Sequence, residues 1–251
     1  RMPFFAYAIR GSEDLKVVRE RARRCRGLAT VSLVRLDGAS FRDAHEWLRT
    51  HCEVYAYRFE ARRGELLTDD EAATGMSFIL TKVRERGGLI YLSGSGSDEI
   101  ISDYAMHGRA IYPHSCFKGV FPTDLSLNRF FPWCSFYKGS QRAFLMKEEL
   151  TSGAHGIEGR YPFLDPDVVQ EFLWLLPALK NSEYKRPIAD FLRAHRFPNA
   201  WETKLGFKAR DNLDAPVPAE VLSDPMLNHI SPRAGNPSSV NENDRRDSAW
   251  A

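Results

Sequence analysis

The chain has no Cys-x-x-Cys pair, no histidines at zinc-ligand spacing, no long apolar run and almost no net charge. Each absence excludes something. The four cysteines, Cys25, Cys52, Cys116 and Cys134, are scattered, so neither a zinc ribbon nor a dithiol redox motif is encoded, and reduced thiols are expected. No stretch approaches the roughly 20 apolar residues a membrane helix needs, and no signal segment is read in the residues given. A cytoplasmic protein with no membrane contact is the expectation. Lys and Arg number 35 against 33 Asp and Glu, a formal net charge of +2. Bulk charge therefore directs the protein neither to nucleic acid nor to an anionic surface, and the basic runs at 19–26 and 193–196 read as solvated helix faces. There is no internal repeat. Strand-like sequence starts at once after Arg1, which reads as a piece of a longer chain.

What is present suits a globular protein: 251 residues, 43% hydrophobic and 27% charged, enough for a sizeable core. Residues 4–9 read as a buried strand, with Ser12 capping a helix to about Gly27. Val31 to Leu36 alternates as a second strand, and Ser40 is placed to cap a helix from Phe41 to about His51. Residues 58–65 read as a charged loop. Thr68 is expected to cap a long helix through Arg86, stopped by Gly87-Gly88. The apolar run 89–92 then reads as a buried parallel strand. This order predicts an α/β fold, a mostly parallel sheet with flanking helices, over about 1–104. Residues 105–140 are aromatic, Pro- and Gly-rich without periodicity. From Ser140 the pattern is helical, with candidates at Arg142–Gly153, Pro166–Leu176 (capped by Asp165) and Lys185–His195, so 105–230 is expected to be mostly helical. Residues 231–251, rich in Pro, Ser, Asn and charge, are expected to be a disordered tail.

The segment with the most chemistry follows the 89–92 strand: Ser93-Gly94-Ser95-Gly96-Ser97-Asp98-Glu99. Small residues let backbone N–H groups approach a ligand, and the carboxyl end of a parallel strand is where open α/β sheets bind one. Asp98 and Glu99 bring carboxylates to that place, and Mg²⁺ prefers one or two carboxylates plus phosphate oxygens.

Four segments in order resemble the synthetase domain of the glutamine-dependent asparagine synthetases. Phe5-Ala6-Tyr7-Ala8-Ile9-Arg10-Gly11-Ser12-Glu13-Asp14-Leu15-Lys16 is similar to the family's Phe-Ala-Val-Gly-Leu-Pro-Gly-Ser-Pro-Asp-Leu-Lys. Residues 93–99 resemble Ser-Gly-Glu-Gly-Ser-Asp-Glu. Gly156-Ile157-Glu158-Gly159-Arg160-Tyr161-Pro162-Phe163-Leu164-Asp165 resembles Gly-Leu-Glu-x-Arg-x-Pro-Phe-Leu-Asp, and Lys204-Leu205-Gly206-Phe207 resembles Lys-x-Gly-Phe. The resemblance implies an adenine-nucleotide alpha-hydrolase-like fold and an ATP-dependent amide-forming ligase. Aspartate would be activated as β-aspartyl-AMP with release of pyrophosphate, then attacked by glutamine-derived ammonia. It further implies ATP contacts at Ser93, Gly94 and Tyr7, a Mg²⁺ carboxylate at Asp98, and a charge-stabilising cation at Lys204. Thr74, Glu99, Glu158 and Arg160 would line or support the substrate pocket. A glutaminase domain is expected upstream in the full-length chain, and a homodimer is compatible with the family.

The departures fall on reacting positions. The family's Ser-Gly-Gly-x-Asp-Ser pyrophosphate loop does not occur in these residues. Ser95 stands where the family keeps a glutamate, its general base, and serine has no acid–base range near pH 7 unless a partner activates it. Related β-lactam-forming synthetases carry tyrosine there. The family's Arg-Ala-Ser-Thr segment appears as Glu71-Ala72-Ala73-Thr74, and Ser102-Asp103 replaces Gly-Gly. Two alternatives follow: a catalytically degenerate member that binds nucleotide or a partner, and a divergent amide or β-lactam-type synthetase.

Overall fold

The computed structural model describes residues 4–9, 15–57, 65–112, 115–123, 127–136, 140–198, 207 and 228–230. In chain order these form β1 (Phe4–Ile9), α1 (Leu15–Arg24), β2 (Ala29–Val34), α2 (Gly38–His51), β3 (Ala56–Tyr57), β4 (Glu65–Leu66) and α3 (Glu71–Glu85). Then come β5 (Ile90–Leu92), one wide helical turn at Ser97–Ile101, β6 (Ala105–Met106), β7 (Arg109–Ala110) and α4 (Leu127–Phe130). The remainder is α5 (Ser140–Ala154), β8 (Glu158–Arg160), α6 (Pro166–Trp174), α7 (Pro177–Asn181), α8 (Arg186–Ala194) and β9 (Asn228–Ile230). The protein is thus mixed α/β. None of the described helices is long and apolar enough to cross a membrane. The Ser12 cap, the motif at 204–206 and the tail 231–251 lie outside the described residues.

Parallel pairing is present, but the described strands do not form one sheet. β1, β2 and β9 make a parallel three-stranded sheet, and β5 pairs in parallel with β8 alone. The short β3–β4 and β6–β7 pairs are antiparallel. This explains a failed expectation: with one neighbouring strand, Leu89, Ile90 and Leu92 each keep half or more of their surface exposed instead of being buried.

The helix starts move by a few residues, for one reason. Asp37, not Ser40, caps α2, its carboxylate accepting the Ser40 N–H at 2.9 Å. Asp70, not Thr68, caps α3, accepting from the N–H groups of Ala72 (2.6 Å) and Ala73 (3.0 Å). In both cases a carboxylate reaches the orphan donors of the first turn and also complements the helix dipole, which a hydroxyl does not. Asp165 caps α6 as expected, accepting from Asp167 and Val168.

Helix α3 is the centre of the molecule. Residues 73–78 and Leu80 are buried, so it is enclosed on most sides. One face packs with Val34, Leu36 and Ala44, another with Leu48, Leu67 and Ala143 of α5, a third with Ile157. The buried Lys147–Asp70 ion pair (3.1 Å) ties α5 to the α3 cap. The aperiodic aromatic stretch forms a separate cluster in which Ile100, Phe121, Trp133, Phe136 and Phe172 pack directly beneath the 93–101 loop. Cys116 and Cys134, expected as free thiols, are disulfide-bonded with Cα atoms 6.2 Å apart. Both segments fold onto the same carboxylate, Asp103, which brings the two sulfurs together across a sequence separation of 18.

One helix contact predicts a pH response. His155, just after α5, stacks on Trp47 of α2 with ring centroids 3.9 Å apart, and its Nε2 lies 2.9 Å from Ser77 Oγ of α3. Burial, and secondarily the charge of His51, pushes its imidazole down from 6.5 to about 4. The native state therefore holds the neutral ring while the unfolded chain protonates near 6.5. The contribution to stability is fully present above that value and is lost as pH falls through about 4. A urea midpoint that is flat above pH 7 and declines between 6.5 and 4, with the decline blunted in His155→Gln, is the expected outcome; equal declines in both proteins would refute it.

Candidate functional site

The β5–β8 ladder joins two of the sequence motifs. Ile90, Tyr91 and Leu92 stand opposite Glu158, Gly159 and Arg160, and the Ser93 N–H donates to the Arg160 carbonyl at 2.9 Å. The loop after β5 therefore leaves the ladder beside the 160–165 turn. Gly96 seals this contact. Its φ is +99°, and an added Cβ would overlap the Leu164 side chain, with Leu164 Cγ at 2.9 Å. A left-handed residue in close contact must be glycine here, which is a packing reason for the residue independent of any ligand. Gly94 is different: it is exposed, and a Cβ there would meet nothing within 4 Å. Its backbone faces open space.

The loop is anchored from below by Glu99. This buried side chain accepts from the Gly96 N–H (3.0 Å) and from Tyr104 Oη (2.5 Å), and its carbonyl accepts from Trp133 Nε1 (2.8 Å) and Ser135 Oγ (3.2 Å). Burial raises its carboxyl group above the ordinary value, partly offset by the Tyr104 hydrogen bond. Glu99 thus holds the loop's shape and points inward.

Asp98, half-buried, is engaged by a cation. Lys185 Nζ lies 2.6 Å from Asp98 Oδ1 and donates to Ser97 Oγ at 3.1 Å. Lys185 is the left-handed residue (φ +48°) that begins α8. Ser95 also has a partner. Its N–H donates to Ser93 Oγ at 3.0 Å, and its hydroxyl donates to Glu148 Oε1 of α5 at 2.6 Å. Among the described residues no group of three or more His, Cys, Asp or Glu side chains could hold a metal ion. Asp98 is half-buried, with Oδ1 enclosed against Lys185, so it would suit only a cation that draws the rest of its shell from phosphate and water, as Mg²⁺ does.

The other expected residues scatter. Arg160 and Glu158 form an ion pair with each other on β8, both exposed. With Glu149, Gly159, Tyr161 and Leu164, Arg160 borders an open cleft of about 520 Å³. Tyr7 packs in the β1–β2–α3 core, with the Arg86 guanidinium 5.7 Å from its ring. Thr74 is buried in the first turn of α3, and its hydroxyl donates to the carbonyl of the cap residue Asp70 at 3.3 Å. Lys204 lies outside the described residues. Two residues that sequence reasoning passed over sit at the loop instead. Lys185 did leave a signal: a cation at a helix start opposes the helix dipole, so its presence there points to an anion nearby. Glu148 left none, because in one sequence Lys147-Glu148-Glu149 reads as a solvated face.

No family model matches the chain. Among curated proteins, it is similar to the nodule glutamine-hydrolysing asparagine synthetase of Pisum sativum, with 28% identity over 184 residues. That alignment covers 72% of this chain and 26% of the pea protein, so the chain spans about a quarter of that relative's length.

Proposed function

We propose that this chain is part of an ATP-dependent carbon–nitrogen ligase of the asparagine-synthetase kind, carrying one side of its nucleotide site. The observation behind this reading is the β5–β8 ladder: it brings Ser93–Glu99 and Glu158–Asp165, far apart in sequence, to one strand end. The likeness to the pea enzyme supports the same class. In this reading the open backbone at Gly94, with Ser93, receives the nucleotide. Asp98 would hold a Mg²⁺ that offsets phosphate charge as the carboxylate substrate attacks the α-phosphorus and pyrophosphate leaves. Lys185 orients the phosphates from the opposite side, and Lys204 supplies a further cation. The acyl acceptor is ammonia or another amine, and aspartate is the first acid to test.

The test is pyrophosphate release by the full-length chain given ATP, Mg²⁺, aspartate and ammonium or glutamine. Acid-dependent pyrophosphate and AMP in equal amounts are expected. ADP and phosphate, or no turnover with any acid offered, would sink the ligase reading. One observation favours a second reading, a nucleotide-binding module without turnover: Asp98 is already neutralised by Lys185. That reading expects saturable ATP binding with no pyrophosphate.

A further inference from the structure

The Cys116–Cys134 bond joins two segments that lie under the 93–101 loop and do different work there. Ser115, Cys116 and Phe117 close over Asp103, the last two through their N–H groups at 2.9 and 2.8 Å. Trp133 and Ser135 hold the Glu99 carbonyl, by Trp133 Nε1 at 2.8 Å and Ser135 Oγ at 3.2 Å, and Ser135 Oγ also reaches Asp103 at 2.9 Å. Glu99 in turn accepts the Gly96 N–H, so the second segment supports the loop through this one side chain. Both bonded cysteines are exposed. Exposed disulfides, open to an attacking thiolate, belong to the labile and regulatory class. The Cys134 N–H donates to Cys116 Sγ at 2.8 Å. A donor aimed at sulfur favours the thiolate, which makes Cys116 the better leaving group when the bond opens. Cys25 and Cys52 are free, the latter buried in the core with Leu48, Leu67 and Ala73.

We propose that Cys116–Cys134 is a thiol–disulfide exchange site through which small thiols set how often the 93–101 loop opens. The proposal goes beyond the ligase reading and does not depend on it. A thiolate of the glutathione class attacks Cys134 Sγ, the S–S bond breaks, and its electron pair leaves on Cys116 Sγ. A second thiolate attacks the glutathione sulfur of the mixed disulfide and releases Cys134. In sum, two glutathione thiols give up two electrons and two protons to the protein disulfide, leaving two cysteine thiols and one glutathione disulfide. The reverse sequence restores the bond. Reduction leaves the hydrogen bonds to Asp103 and the edge-on Phe117–Trp133 pair (5.3 Å) in place, so the fold persists. What is lost is the restraint on the opened state. A bond across a sequence separation of 18 removes chain entropy from that state, on the scale of about 100-fold in the opening equilibrium. In the reduced protein, 133–136 can leave Asp103 without drawing 115–117 after it. The Glu99 carbonyl and the loop above it are then released more often.

The experiment equilibrates the full-length chain in glutathione buffers from reducing to oxidising. Mass spectrometry then reads differential alkylation of Cys116 and Cys134, and hydrogen exchange of peptides covering 93–104. The two cysteines are expected to convert together with a single midpoint. The N–H groups of Gly96, Ile100 and Tyr104, which bond Glu99 and the Gly96 and Asp98 carbonyls, are expected to exchange about 100-fold faster in the reduced form. Reoxidation restores the slow rate. Amides of α3, whose core contacts lie elsewhere, keep their rates in both forms. Cys116→Ser and Cys134→Ser are each expected to show the fast loop rate in both buffers. Alkylation of both cysteines at every buffer ratio overturns the proposal, as do equal loop rates in the reduced and oxidised forms. Protection lost across α3 as well on reduction makes the bond a staple of the whole fold and also overturns it. So does a redox dependence that survives in both Ser variants, because it would then arise at another thiol.

Discussion

Asp103→Ala is expected to destabilise the protein by about 3–5 kcal/mol, the largest stability effect of any single change near the site. Asp103 is fully buried. Its carboxylate accepts from Ser115 Oγ (2.9 Å), the N–H groups of Cys116 (2.9 Å) and Phe117 (2.8 Å), and Ser135 Oγ (2.9 Å). Alanine would leave the half-buried Ser115 Oγ and Phe117 N–H and the exposed Cys116 N–H without their acceptor, and would leave the buried Ser135 hydroxyl only its longer contact with the Glu99 carbonyl. It would also place a β-carbon with no local hydrogen bonding at φ +47°, a left-handed conformation that Asp and Asn tolerate better. Asn keeps the shape but loses the charge and one acceptor, so Asp103→Asn should cost about 1–3 kcal/mol. Urea titration of the three proteins, with a common m-value, gives the ranking directly. The loss should also reach the site, because Trp133 and Ser135 of this region hold the Glu99 carbonyl under the loop. An Asp103→Ala protein as stable as the parent would show that these donors are readily rehydrated.

Asp103 also shows what a single sequence hides. In the sequence it is one of two residues replacing a family Gly-Gly, a mark of divergence. In the fold it gathers the aromatic segment, whose lack of periodicity reflects packing around one carboxylate instead of along a helix or strand. The disulfide was hidden for the same reason, since its partners meet only after that gathering. What depended on local pattern was legible. The α5, α6 and α8 helices fall where 3.6-residue periodicity and the Asp165 cap put them. The parallel character of β5 was legible too, but its burial was not, because burial depends on neighbouring strands that a run of four apolar residues cannot specify. The loop at 93–99 was located by its small residues, yet its electrostatics come from Lys185 and Glu148, which reach it from other helices. Gly96 lies between these cases: its need for glycine is visible in the motif, and its cause, Leu164, is visible only in space.

The Asp98–Lys185 pair yields the sharpest functional prediction because its two halves should respond with opposite sign. Lys185 stands at the start of α8, where the helix dipole is also positive, and sets its ammonium against Asp98. Triphosphate entering this space competes with Asp98 for the ammonium and is repelled by the carboxylate. In Mg²⁺-free buffer, Asp98→Asn should therefore bind ATP more tightly, by up to about tenfold, or 1.4 kcal/mol. With Mg²⁺ present the order reverses, since the carboxylate then pairs with the metal, and Asp98→Asn should bind more weakly than the parent. Lys185→Met should weaken binding in both buffers. It should lower pyrophosphate release by about 100–1,000-fold, the scale of one preorganised charge removed from a phosphoryl-transfer site. Calorimetric titration of the full-length chain with ATP, with and without Mg²⁺, reads all three signs. If Asp98→Asn shifts affinity the same way in both buffers, Asp98 is only the structural partner of Lys185. The wide helical turn at Ser97–Ile101 would then be a clamp for α8, not one side of a nucleotide site.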